Sequence, residues 1–220
     1  MIIKYTKSIS LYRYILAFDL AKHISGYSLL DIKENKLVTV GTIDTNRSSS
    51  ELIWSYFYDE VTNVIQLCKN KVGPNILITK EKLPNQNGRF STIDTLQGLA
   101  QAHSIFDLAA YNSGIEVYDY DGVHAISVKS YFKTLTNIDK PQKEDISNYI
   151  QNQYPDIDLS EYTLDVTDSV AVALTLYNKK YNADITEKIK EYKKKIKTLK
   201  MQHAKDKIQE QINALEKIKI

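Results

Sequence analysis

The sequence has few of the residues that build disulfides or soft metal sites. Cys68 is its only cysteine, which excludes a disulfide framework and a zinc site of paired cysteines. This cysteine lies in an apolar pattern with helical spacing, so we expect a small buried side chain rather than a nucleophile. The four histidines show no ligand spacing either. Carboxylates are therefore the remaining candidates for metal ligands.

Long apolar runs are lacking as well. No segment approaches the roughly 20 apolar residues that a membrane-spanning helix needs, and the chain does not open with a charged and then apolar leader. We therefore expect a cytoplasmic protein without membrane contacts. Its 43% apolar and 25% charged residues are ordinary for a globular protein, and 220 residues suffice for one substantial core.

Two carboxylates stand three residues apart at the head of an apolar, helix-forming run at residues 165–174. On a helix, positions i and i+3 share a face and lean towards the N-terminus, so Asp165 and Asp168 converge above the first turn. Like charges placed this way repel each other unless a cation lies between them. The alternative is that Asp165 caps the helix and Asp168 complements its dipole, which requires no chemistry.

Two further acids are associated with apolar strands. Asp19 lies in the apolar run at residues 14–20, which is typical of a buried central strand, and a buried charge needs a partner. Glu81 follows a short apolar strand at residues 75–80. Sites of open α/β sheets lie at the carboxyl ends of strands, so these two acids are neighbours if their strands are adjacent and parallel. Four converging carboxylates are hard ligands for Mg²⁺ or Mn²⁺, and such cations suit phosphoryl transfer.

The hydrophobic pattern predicts an α/β fold with a mixed five-stranded sheet and flanking helices. The first three strands form an antiparallel meander. Strands are predicted at residues 14–20, 25–31, 36–42, 75–80 and 115–119, and helices at residues 48–67, 91–111, 124–135, 143–152 and 164–181.

In order and spacing, three motifs resemble the RuvC-type Holliday junction resolvases of the ribonuclease H-like superfamily. They are residues 19–27 (DLAKHISGY), 78–81 (ITKE) and 165–174 (DVTDSVAVAL). The similarity runs from about Tyr14 to Tyr181 and looks closest to the versions carried by phages of Gram-positive bacteria. It implies a ribonuclease H-like sheet, and for a phage protein the compartment is the cytoplasm of the bacterial host.

The resemblance also implies roles for individual residues. Position by position, the metal-binding carboxylates of the family match Asp19, Glu81, Asp165 and Asp168. The basic contacts near the scissile phosphate match Lys129 and Lys143, of which Lys143 is expected to be catalytic.

The sequence departs from the family pattern at two places. Leu20 and Ala21 stand where bacterial members usually have Pro-Gly, which removes no ligand. The family has a base-stacking aromatic a few residues after its glutamate, whereas the nearest aromatic here, Phe90, lies farther along the loop. Phe90 is a candidate for DNA contact, or else an anchor for the helix that begins near Ser91.

By this resemblance the chain is a metal-dependent, structure-selective DNA endonuclease. It is expected to resolve four-way junctions, and other branched DNA, by paired symmetric nicks that leave 5′ phosphate and 3′ hydroxyl ends. The cofactor is expected to be Mg²⁺, with Mn²⁺ as an alternative, at two ions per active site. A four-way junction has two-fold symmetry, so we also expect a homodimer.

Charge is distributed unevenly along the chain. Residues 184–220 contain eleven lysines and six acids, net +5, which leaves net −3 for residues 1–183. We expect a nuclease domain at residues 1–183 and a lysine-rich helical tail at residues 184–220. The tail is either a hairpin or one helix with a phase shift. Its lysines are a solvated face, an added contact to the DNA backbone, or both. Its apolar positions recur at helical spacing: Ile185, Ile189, Tyr192, Ile196 and Leu199, then Ile208, Ile212, Leu215 and Ile218.

Two other classes of function remain open. The fold of actin, Hsp70 and sugar kinases shares the meander and begins its phosphate loop with an aspartate near the end of the first strand. That ATP-binding architecture needs a second half with another Gly-rich loop, and the seven glycines of this chain supply none. A non-catalytic DNA-binding module with a coiled-coil tail leaves the four acids unexplained. Binding of divalent cations or of ATP would separate these possibilities.

Overall fold

The computed structural model describes residues 5–6, 12–49, 51–83, 92–118, 122–198 and 202–217. The strands are β1 (Tyr5–Thr6), β2 (Tyr14–Asp19), β3 (Ile24–Asp31), β4 (Lys36–Asp44), β5 (Ile76–Lys80) and β6 (Val117–Tyr118). The helices are α1 (Ile53–Val72), α2 (Ile93–Ser113), α3 (Ala125–Thr136), α4 (Lys143–Gln153), α5 (Leu164–Thr198) and α6 (Gln202–Lys217).

The strands form one mixed sheet in the order β1-β6-β5-β2-β3-β4. Strands β2, β3 and β4 are an antiparallel meander, and β5 pairs parallel with β2, as predicted. The predicted fold class is confirmed, and each of the five predicted strands is present. A sixth strand, β1, pairs parallel with β6 at the edge of the sheet. At two residues it is too short to produce a periodic pattern in the sequence.

Strand β2 is central because its side chains are buried on both faces of the sheet. Ile15, Leu16, Ala17 and Phe18 are all fully buried, which is the burial that a continuous apolar run predicts. On one face, alternate residues of β2 and β5 pack against α1 and α2 in a single core. The Phe18 and Phe106 rings lie 5.0 Å apart in this core, in an edge-to-face arrangement.

Helix α1 begins at Ile53, later than the Ser48 start that the sequence predicts. Residues Thr45–Arg47 form a 3-10 turn instead, held by the Asp44 carboxylate, which accepts from the backbone N–H of Asn46 at 3.0 Å. The Leu52 N–H then bonds the Ser49 carbonyl at 3.0 Å. Local turn hydrogen bonds therefore compete successfully with the helix over these residues.

The first turns of α5 pack on the opposite face of the sheet. Gly26 of β3 lies directly beneath the backbone of Asp165, and Gly26 is also the register partner of Asp19 across the β2–β3 ladder. The start of α5 is thus docked beside the carboxyl end of β2. This contact positions the site described below.

The chain divides into two compact units, Met1–Thr175 and Leu176–Ile220. The second unit contains the end of α5 and all of α6, which form a helical hairpin. Ile189 and Ile212 are buried between the two helices, and the partly buried residues around them are Tyr192, Ile196 and Ile208. The hairpin alternative for the tail is the one that the structure adopts. The predicted boundary after residue 183 lies further along the same helix.

None of the helices within the described ranges is both long enough and apolar enough to cross a membrane.

Candidate active site

Asp19 and Glu81 meet at the carboxyl ends of two adjacent parallel strands. Phe18 and Lys80 are register partners, and the Glu81 N–H donates to the Phe18 carbonyl at 3.0 Å. Residues paired in this way project to the same face of the sheet. The Asp19 and Glu81 side chains are joined by a hydrogen bond. The acids that the sequence predicts to be neighbours are therefore in contact.

This pair of carboxyl groups is difficult to ionise without a cation. Burial raises the pKa of Asp19 well above its usual value, and the charges of Glu81 and Asp168 add to the effect. Burial also raises the pKa of Glu81, with a further contribution from Asp168, while Lys143 and Lys129 oppose the shift. A group of acids with this bias has a strong electrostatic preference for a bound positive charge.

The two helical acids reach this site through the close contact of α5 with β3. Asp165 lies in the first turn of α5, so it is not the residue preceding the helix, as the capping alternative requires. A Cβ atom built on Gly26 would lie 2.0 Å from the Asp165 carbonyl oxygen, a distance that no side chain tolerates. Asp168 follows one turn later and is mostly buried, with 18% of its side chain exposed.

Lys143 approaches the acids from the N-terminus of α4. The Asp145 carboxylate fixes this helix start by accepting from the Gln142 backbone N–H at 2.8 Å. The Lys143 ammonium group forms a salt bridge with Asp168. Burial opposes a charged ammonium, but the hydrogen bond and charge of Asp168, with smaller effects of Asp19 and Asp165, raise the pKa of Lys143.

A cleft of about 150 Å³ opens onto the acids between α3, α4 and α5. Lys129 of α3 lines this cleft, as do Glu81, Asp168 and Lys143. One side is therefore polar and charged. The rest of the lining is largely apolar: Ala125, Val128, Pro141, Gln142, Ile146 and Val172.

The donor set fits a hard divalent cation, although the side chains are not yet arranged around one. Within the residues that the structure describes, no three His, Cys, Asp or Glu side chains are arranged to hold a metal ion as they stand. Asp19 and Glu81 instead bond to each other, and Asp168 bonds to Lys143. Carboxylate oxygens are the ligands of Mg²⁺ and Mn²⁺. Binding requires loss of the proton between the two carboxyls and release of Lys143, whose side chain is 60% exposed.

Comparison with known proteins finds the same resemblance. No protein-family model matches the chain. The crossover junction endodeoxyribonuclease RuvC of Caldanaerobacter subterraneus subsp. tengcongensis is 26% identical over 163 residues, which are 73% of this chain and 89% of that protein. Two structures of Thermus thermophilus RuvC, one in complex with a Holliday junction substrate, superpose with a TM-score of 0.56 at 14% identity. Each covers 76% of this chain, and 96% and 95% respectively of the RuvC chain.

The chain resembles RuvC in sequence and in fold. The sequence relative spans most of the RuvC length, and the structural neighbours share the same sheet and helix arrangement. Both leave about a quarter of this chain without a counterpart.

The structure places most of the residues implied by the RuvC resemblance in one region. Asp19, Glu81, Asp168 and Lys143 are in mutual contact or electrostatic range, and Lys129 lies in the same cleft. The remaining acid, Asp165, acts on the charge of Lys143. Phe90 lies outside the described residues.

Sequence reasoning missed two features that support this site. Gly26 lies inside a predicted strand, and a glycine in that position is itself a signal of close backbone approach. For Asp107 the sequence alone favours a solvated acid on a helix, and this prediction is wrong. Its carboxylate forms a 2.6 Å salt bridge with Lys80, whose side chain is 4% exposed and lies over the Phe106 ring. Lys80 immediately precedes Glu81, so this ion pair anchors the end of β5 from the opposite face.

Proposed function

We propose that this RuvC-type chain is a metal-dependent endodeoxyribonuclease that resolves four-way DNA junctions. The observation that carries the proposal is the convergence of Asp19 and Glu81 with Asp168 and Lys143 at one edge of the sheet. The Caldanaerobacter relative is named as a crossover junction endodeoxyribonuclease, and one structural neighbour was solved with a Holliday junction. Both agree with the chemistry that these side chains can support.

The metal ligands of the proposal are Asp19, Glu81, Asp165 and Asp168. Mg²⁺ is the expected ion, Mn²⁺ is an alternative, and four carboxylates suffice for two cations. Bound ions of this kind supply an activated water and stabilise the departing 3′ oxygen. Within the chain, the role of the two strand acids is to release their shared proton. The role of the helix acids is to hold the second side of the site at a fixed distance from the sheet.

The two lysines of the cleft have different roles in the proposal. Lys143 is within reach of every acid charge in the site, so its ammonium group can offset the charge of the five-coordinate phosphate. Lys129 lines the same cleft and its charge acts on Glu81, so it can hold a neighbouring phosphate. The apolar part of the lining can accept a sugar or base edge of the same strand.

Resolution needs two nicks placed symmetrically on a four-way junction. One copy of the chain carries one such site, so the proposal includes a homodimer whose two-fold axis matches that of the junction. Other branched DNA, such as three-way junctions, falls within the same proposal. Light scattering on the purified chain, with and without junction DNA, tests the dimer directly.

The decisive experiment uses end-labelled four-way, three-way and linear duplex DNA with Mg²⁺ or with EDTA. We expect Mg²⁺-dependent nicking of the junction at symmetric positions and little cutting of the linear duplex. Asp168→Asn should reduce cutting by about 100-fold or more, the order of effect for groups that stabilise transition-state charge, while junction binding is preserved. Asp156→Asn, an exposed acid away from the cleft, is the matched control.

Two results would overturn the proposal. Cutting by the Asp168→Asn protein at the rate of the Asp156→Asn control would remove these acids from the reaction. Tight ATP binding with no nuclease activity would favour the kinase-like alternative instead.

A further inference from the structure

The two compact units carry opposite net charges. Residues 176–220 contain thirteen lysines and six acids, net +7, and residues 1–175 contain sixteen basic and twenty-one acidic residues, net −5. A polyanion such as DNA is repelled by the net charge of the first unit and attracted by that of the second. The unit with the candidate active site is therefore not the one whose overall charge favours DNA.

Within the second unit the positive charge belongs to the end of α5. Residues 187–198 contain six lysines and two glutamates, whereas α6 has three lysines and three acids. One pair joins the two helices, from the Lys193 ammonium to the Glu216 carboxylate at 3.0 Å. The acids of α6 are too few to neutralise the lysines of α5 as well as its own.

Lys190 and Lys194 are not required for packing of the hairpin. Ile189 and Ile212 are buried between the helices, while Lys190 and Lys194 are exposed. Lys190 and Lys194 are one turn apart, so they share a face of α5, and Lys193 borders that face. We call Lys190 and Lys194 the lysine face, and Lys193, which is paired with Glu216, is not part of it. Its position turns it away from the apolar stripe of the same helix.

We propose that the lysine face binds the phosphate backbone of DNA, as a contact surface separate from the acidic cleft. The inference rests on the proposed function in one respect, that the substrate is DNA. Lysine ammonium groups are mobile point charges that suit phosphates in general and read no base sequence. A junction-resolving enzyme needs such contacts along the arms of its substrate, which differ in sequence from one junction to the next.

The test compares two double variants of the full-length chain that lose the same charge. Lys190→Gln/Lys194→Gln removes both positions of the lysine face. Lys205→Gln/Lys207→Gln removes two lysines of α6 in the same unit. Affinity for a four-way junction and for a linear duplex is measured by fluorescence anisotropy in EDTA between about 50 and 200 mM salt. Circular dichroism checks that both variants keep their helices.

We expect the lysine-face variant alone to bind DNA more weakly. Each lysine in contact with a phosphate releases counterions on binding, so the slope of log K against log salt should fall by about 2 for the two positions. The loss of affinity should be about 10-fold and similar for junction and duplex. The α6 variant should keep the slope of the unmodified chain.

Two outcomes would overturn the proposal. Equal losses in both variants would mean that only the net charge of the unit matters. An unchanged slope of log K against log salt in both variants would mean that the lysine face binds another partner, such as an acidic protein surface. Cleavage of the junction with Mg²⁺ is measured in parallel to keep the two proposals distinct. If the unmodified chain cuts no junction and the lysine-face variant loses duplex binding, the proposed function is contradicted and the lysine-face proposal is supported. If the unmodified chain cuts the junction and the variant binds duplex normally, the proposed function is supported and the lysine-face proposal is contradicted.

Discussion

Gly26 and Asp165 are in backbone contact, and this contact sets the distance between the two halves of the acidic site. Gly26 is the register partner of Asp19. A Cβ atom on Gly26 would lie only 2.0 Å from the Asp165 carbonyl oxygen, so only glycine fits at this position. Asp19 belongs to the sheet, and Asp165 to the helix packed over it. The separation of sheet acids and helix acids is therefore fixed by the absence of one side chain.

Replacing Gly26 by alanine should push the start of α5 away from the sheet. Overpacking of this kind typically costs about 1–3 kcal/mol of the free energy of unfolding, which urea denaturation measures. Because the helix carries two of the four acids, binding of Mn²⁺, followed by electron paramagnetic resonance, should weaken as well.

Gly98→Ala is the matched control for this prediction. A Cβ on Gly98 meets the flexible Lys22 side chain at 2.8 Å, not backbone, and alanine is favoured over glycine within a helix by up to about 1 kcal/mol. The control should bind Mn²⁺ normally. If the Gly26→Ala protein binds Mn²⁺ as tightly as the unmodified chain, the contact does not position the acids.

Lys143→Gln should move metal binding and cleavage in opposite directions. The ammonium group neutralises Asp168, so its removal should tighten Mn²⁺ binding severalfold. Cleavage at saturating metal should nevertheless slow by about 10²–10³-fold, because the phosphate loses a charge partner. Lys140→Gln, an exposed lysine shortly before α4, is the control. Weaker Mn²⁺ binding in the Lys143→Gln protein would contradict this competition.

In the metal-free protein, Asp19 should contribute stability that is lost as the pH rises. Burial, then the charges of Glu81 and Asp168, raise the pKa of Asp19, so the folded state keeps a proton that the unfolded state releases near its ordinary value of 3.8. The stabilisation is complete below that value and is lost as the pH rises through the folded pKa. Urea unfolding in EDTA from pH 4.5 to 8 should show a smaller decline for Asp19→Asn than for the unmodified chain. Parallel declines would remove Asp19 as the cause.

His103 should make the fold sensitive to acid. Burial, with a further effect of the Lys80 charge, lowers the pKa of His103 from 6.5 to about 3. Below pH 6.5 the unfolded chain therefore binds a proton at this histidine that the folded chain does not bind. The contribution of His103 to the free energy of unfolding therefore decreases as the pH is lowered between these values, by up to about 1.4 kcal/mol per pH unit. His103→Gln should flatten this slope relative to its own stability at pH 7.5. An equally steep acid slope in the variant would place the sensitivity elsewhere.

The sequence was sufficient for features that arise from one strand or helix at a time. The apolar run that ends at Asp19 predicts a central strand, and residues 15–18 of this run are fully buried. The spacing of Asp165 and Asp168 predicts a shared helix face, and the repeat at Ile189, Tyr192 and Ile196 predicts an apolar stripe. Each of these signals is local and survives folding unchanged.

Features that join distant parts of the chain could not be predicted in this way. Asp107 has polar neighbours on α2 and looks solvated, because its partner Lys80 is on a strand whose apolar pattern gives no sign of a buried charge. The salt bridge of Lys143 with Asp168 also depends on where α4 begins relative to α5. The family resemblance placed Lys143 near the phosphate, but only the fold assigns its partner.

Backbone bonds hold Glu81 from two directions at once. Its own N–H donates to the Phe18 carbonyl in β2. On the other side, Glu81 forms a β-bridge with Val123. Beside this bridge, the Lys82 N–H donates to the Val123 carbonyl at 2.8 Å, and the Val123 N–H donates to the Lys80 carbonyl at 2.9 Å. The Glu81 amide proton should accordingly exchange slowly with solvent, at a rate governed by global unfolding rather than by local opening. Little backbone entropy then remains to be lost at Glu81 if an ion binds there as proposed, so the ordering cost of assembling the site falls on side chains.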